Sequence, residues 1–106
     1  MTGIAEITKE IRHVTALVDA ARRLVEEGRT IELGQLEARI DACCAAVRDL
    51  PRGTETAEIR PAVTALLDEV GRLEGAIRKA QAEIGERLGQ AGARRRALTA
   101  YGGGGR

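Results

Sequence analysis

The sequence predicts an all-α fold, and three observations carry that prediction. Apolar residues recur at alternating spacings of three and four along most of the chain, the period of a helix face. Tyr101 is the single aromatic residue, so the apolar supply is Ala, Leu, Ile and Val, which suits helices with closely spaced axes. Charged residues make up 31% of the chain, as in slender bundles and coiled coils. The expected form is an antiparallel three-helix bundle, or an elongated coiled-coil hairpin, with a long C-terminal helix. A length of 106 residues suits a single domain, placed at 1–100.

The first helix is expected over about residues 4–27. Ile4, Ile11, Val18 and Val25 occupy one heptad position, and Ile7, Val14 and Ala21 the other. Leu17 and Leu24 widen the stripe, and Gly28 supplies a C-terminal stop. A second helix is expected over 31–50, with Thr30 as its N-cap and Leu33, Leu36, Ile40, Cys43, Val47 and Leu50 as its apolar face. Leu33 follows Val25 by eight residues, so the pattern slips at Gly28–Thr30. A turn and a kink would both produce that slip. Pro51 ends the segment, and Arg52–Thr56 reads as a connection.

The third helix, over 57–98, has the most regular pattern. Val63, Val70, Ile77, Ile84, Ala91 and Leu98 repeat every seven residues, with Ile59, Leu66, Leu73 and Ala80 at the partner position. Pro61 fits only near the start of such a helix. At 1.5 Å per residue this helix would be about 60 Å long against about 36 Å for the first. Its end would therefore have nothing in its own chain to lie against. Tyr101 and the four glycines that follow, with Arg106, read as a flexible tail over 101–106.

The chain offers little for catalysis. There is no serine, one histidine (His13, off the apolar seam) and too few ligands for a closed zinc site. No strand is expected, so the glycines of the third helix form no phosphate cradle. No catalytic residue, metal or cofactor is expected, and the chain reads as no enzyme. Cys43 and Cys44 are adjacent on a helix, cannot bridge each other, and read as small buried thiols. A formal net charge of +1 gives no bulk attraction for polyanions, so no nucleic-acid partner is expected. Arg94–Arg96, the one basic run, reads as cations at a helix C-terminus. No apolar run approaches a membrane span and the N-terminus has charges where a signal peptide is apolar, so a cytoplasmic protein without membrane insertion is expected. Gly71, Gly75, Gly85, Gly89 and Gly92 line the back of the third helix, either as a smooth strip for close helix approach or as compositional drift.

Three stretches together resemble the flagellar type III export chaperones of the FlgN and FliT kind. They are EEGRTIELGQLEARIDACCAAVRDLP at 26–51, the long helix after Pro61, and RRRALTAYGGGG near the C-terminus. The resemblance implies a cytoplasmic helical chaperone that binds the terminal helices of late, hook-associated flagellar subunits and delivers them to the export gate. It implies that Tyr101 docks on the export-gate component. Substrate-helix contacts would then fall on Ile77, Ile84, Leu88, Ala91 and Leu98, the seam residues at the uncovered end. The alternative is a structural coiled-coil protein that associates with itself through Val63, Val70, Ile77 and Ile84, making a homo-oligomer the partner.

Overall fold

Three helices, α1 (Ile4–Glu26), α2 (Gly34–Arg48) and α3 (Ile59–Gly103), make up the chain in the computed structural model, which describes residues 3–103, with side chains as far as Thr99. Arg39 on α2 pairs with Glu10 on α1 at 2.8 Å, and Ile7 shares a cleft with Ala46, so these two helices are antiparallel. Ile11 lies beside Val63 and Leu66, Arg22 pairs with Glu69 at 3.4 Å, and Val25 lies near Ile77. α3 therefore runs parallel to α1. The order is up, down, up, the three-helix bundle of the two forms the sequence allows, with α1 at the centre. It packs against both other helices, whereas the backbones of α2 and α3 do not meet.

Gly28 reverses the chain. Its φ of 78° lies in the left-handed region that favours glycine. The Gly28 N–H donates to the Val25 carbonyl at 3.0 Å and the Arg29 N–H to that of Leu24 at 2.9 Å, the paired bonds of a Schellman C-cap. Thr30 is not the N-cap of the next helix. Residues 29–33 remain extended or irregular, α2 opens at Gly34, and its cap position is Leu33, with no side-chain cap bond. Half-buried Ile31 and Leu33 pack on the core from this loop, which holds it across the end of α1. At the other reversal Gly53 has φ 82°, in a turn closed by the Thr54 N–H to the Pro51 carbonyl at 3.2 Å. Pro61 falls in the first turn of α3, where no intrahelical donor is needed.

The core follows the heptads. Ile7, Ile11, Val14 and Val18 of α1 are buried with Cys43 of α2 and Ile59, Ala62, Leu66 and Leu73 of α3. Val63, Val70 and Ile77 are half-buried beside them, Val63 facing the groove where α2 stands off and Ile77 the loop after α1. Arg22 also bonds Asp19 and, at 2.6 Å, Glu26, while Arg72 meets Glu69 at 3.1 Å, so one charge network ties α1 to α3. Its hydrogen bonds to Glu26 and then Asp19 push the Arg22 pKa further above its ordinary value, so the guanidinium stays charged. Pairs this close to water are weakened by solvent and add little each, which leaves apolar burial as the main support.

Thr8 is the exception within the core. It is buried at 3% exposure and its Oγ1 has no hydrogen-bond partner. An unpaired buried hydroxyl costs about 1–3 kcal/mol. Thr8→Val, nearly isosteric and equal in helix propensity, is expected to raise stability by about 1 kcal/mol and Tm by several degrees in thermal unfolding. No gain would mean that the hydroxyl is already satisfied in solution.

α3 continues beyond its expected end at 98, through Tyr101 to Gly103, and residues 104–106 of the expected tail lie outside the described residues. Extending an existing helix adds one hydrogen bond per residue fixed, and the stretch after Gly92 is mostly Ala and Arg, which are strong helix formers. The molecule measures 80 × 19 × 18 Å. Its accessible surface of 8139 Å² exceeds the roughly 5,700 Å² expected for a compact chain of 11.3 kDa.

Candidate functional site

α1 ends at Glu26, alongside residues near Ile77 of α3, and the loop after it reaches Ala80 and Ile84. Beyond that point no described residue of another element provides cover. From Gln81 to Thr99 every residue is exposed except Gly92, which lies 3.8 Å (from a Cβ position) from Arg96 Nη1. Ile84 is 55% exposed, Leu88 67% and Leu98 68%. At about 100° per residue, Ile84, Leu88, Ala91 and Leu98 fall within an arc of about 80°. That arc continues the inward-facing seam of the bundle. The apolar face therefore outruns the helices that should cover it.

The residues expected to hold a substrate helix divide at this boundary. Ile77 is half-buried on the core, and with Val63 and Val70 it is used within the chain's own bundle. Of the four residues that motivated self-association, only Ile84 stands clear. Ile84, Leu88, Ala91 and Leu98 are all exposed on the projecting end. The backbone of Tyr101 belongs to α3, and its side chain lies outside the described residues. Where the stripe starts, a groove of about 350 Å³ separates α3 from the loop, lined by Val25, Ile31, Leu33, Ile77, Ala80 and Ile84. A second groove, of about 280 Å³, lies between α2 and α3, with Cys44, Val47, Val63 and the 61%-exposed Leu67 on its walls.

Charge is distributed unevenly in a way that the net value conceals. All 16 acidic residues lie at or before Glu86, together with 12 basic ones, and five arginines follow with no acid among them. A chain of net charge +1 thus divides into a body of −4 and an end of +5. Among the described residues no ion pair engages Arg87, Arg94, Arg95 or Arg96. Arg94–Arg96 do not cap the helix C-terminus, because the helix runs on for seven residues past Arg96. The division is legible in the sequence by counting charges along the chain, and the whole-chain value hides it.

The glycines of α3 face open space. A Cβ at Gly71, Gly75, Gly85 or Gly89 would meet nothing within 4 Å, so among the described residues nothing requires their smallness. His13 is exposed, and among the described residues no group of three His, Cys, Asp or Glu is placed to hold a metal ion. No described helix is long and apolar enough to cross a membrane.

The expectation of two buried thiols holds for Cys43 alone. Cys44, about 100° further round α2, is exposed. Burial, with the nearby Glu10 carboxylate, pushes the Cys43 thiol above its ordinary pKa. The thiolate is the nucleophile that displaces iodide from iodoacetamide and must be accessible to do so, so at pH 8 a single equivalent is expected to label Cys44, with Cys43 reacting only on unfolding. Peptide mapping by mass spectrometry checks this; equal labelling in the native state would show α2 opening readily. Compared with known proteins, this chain matches no family model, no curated protein and no solved structure.

Proposed function

We propose that this chain is a carrier for helical segments of other proteins, without catalytic activity of its own. One observation supports the reading above the rest: the bundle's apolar seam extends along α3 as the exposed stripe Ile84, Leu88, Ala91 and Leu98. The described projecting turns are exposed almost throughout, and each glycine among them costs about 1 kcal/mol relative to alanine. An amphipathic helix laid along the stripe would cover it and hold the projecting turns in place.

The resemblance at residues 26–51 and 94–105 supports a narrower form of this proposal. In it the cargo is the terminal helix of a hook-associated flagellar subunit, the setting is the cytoplasm, and Tyr101 docks the loaded carrier on the export gate. Deleting residues 85–106 tests both levels. The shortened chain keeps the buried core and should retain most of its helicity by circular dichroism. It should no longer capture the hook-associated subunit in a pull-down. Capture at full strength after the deletion would remove the proposal.

A further inference from the structure

The chemistry around the stripe says what kind of helix would fit it. The two edges differ. Arg87 and Arg94, one heptad apart, flank one side, and Arg95 interrupts the stripe between Ala91 and Leu98. Gly85 and Gly92, also one heptad apart, flank the other, with Thr99 continuing their line. A Cβ at Gly85 would meet nothing within 4 Å, and one at Gly92 would touch only the Arg96 side chain. All four arginines are exposed and free of ion pairs among the described residues. Glu83 and Glu86, the last acids of the chain, lie before them.

Resting on the carrier reading above, we propose that the helix held at this end is amphipathic with an acidic flank, its carboxylates meeting Arg87 and Arg94 while its apolar stripe covers Ile84, Leu88, Ala91 and Leu98. The glycine edge lets the partner backbone approach closely, so the arginine edge sets the choice of partner. The −4 body of the protein adds to that choice, because a helix with acidic flanks is repelled from its sides and drawn to its end. A polyanion such as nucleic acid is the less fitting occupant. It would use the arginines but leave the apolar stripe uncovered.

The test uses the full-length chain and two synthetic 16-residue amphipathic helices. Both carry leucine at the seam positions, with glutamate at the flanking positions of one and lysine in the other. The glutamate peptide should bind at least tenfold more tightly by fluorescence anisotropy, with an affinity that falls as salt rises. In the variant R87E/R94E the preference should reverse. Equal binding of the two peptides, unchanged in R87E/R94E, would overturn the acidic-flank proposal and leave the carrier reading standing. Failure of both peptides to bind would overturn both. Binding of a DNA duplex more tightly than the glutamate peptide, unaffected by Leu88→Asp, would also overturn the acidic flank, by assigning the arginines to a polyanion.

Discussion

Ile11→Ala is expected to destabilise the fold by about 3 kcal/mol and to lower Tm by on the order of 15 °C. Ile11 is 1% exposed and stands where α1 meets both neighbours, with Cys43 of α2 and Leu66 of α3 beside it. Removing its three outer carbons forfeits their burial and leaves a void that helices anchored at both ends close only in part. For a bundle of this size that loss is a large share of the total. Ile84→Ala is the matched control. The same side chain is removed, but from a site already 55% exposed, and alanine is the better helix former. Its effect should stay within about 0.5 kcal/mol. Urea unfolding followed by circular dichroism checks both. Similar losses for the two variants would mean that α3 is covered well beyond Ala80, which would also remove the basis of the carrier proposal.

The second large effect concerns binding and leaves stability alone. The double substitution Leu88→Asp, Leu98→Asp is expected to weaken capture of an amphipathic helix at least 100-fold while Tm stays within a few degrees. Each leucine is about two-thirds exposed in the free chain, so placing a carboxylate there costs the fold little. Under a bound helix each would be buried, and losing a buried leucine costs about 1.5–3 kcal/mol, with tenfold in affinity for every 1.4 kcal/mol. Titration calorimetry with the glutamate-flanked peptide, run beside thermal unfolding, separates the two quantities. Binding within threefold of the parent chain would place the partner elsewhere, the α2–α3 groove at Leu67 being the next surface to probe.

The helices were largely legible in the sequence because their core is built on a repeating pattern. Ile7, Ile11, Val14 and Val18 are buried in the order their spacing implies, and Gly28 ends α1 as a glycine stop should. What the pattern could not reveal was where chain geometry overrides it. Thr30 has the chemistry of an N-cap, yet Ile31 and Leu33 pack on the core from a loop, which delays α2 to Gly34. Cys43 and Cys44 look alike in sequence, and only the rotation of α2 against α1 separates a buried thiol from an exposed one. The exposed end was legible from the unequal lengths of α1 and α3, and the structure leaves Ile84, Leu88 and Leu98 uncovered as those lengths require. The residues framing the stripe were visible but carry a different sense in sequence: Arg94–Arg96 reads as helix-end cations, and a whole-chain charge near zero hides the five arginines gathered after the last acid.

One consequence follows from α3 being a single helix from Ile59 to Gly103. The same backbone that is clamped on α1 through Leu66 and Leu73 carries the outer stripe, so the bundle sets the stripe's azimuth as well as its position. One residue inserted between Leu73 and Ile84 would swing Ile84, Leu88 and Leu98 by about 100°. The stripe would then point away from Val25 and Ile31 with its composition unchanged. Seven inserted residues would bring it nearly back into phase, one heptad further out. The spacing between clamp and stripe is thus a design variable in itself, independent of which residues fill it.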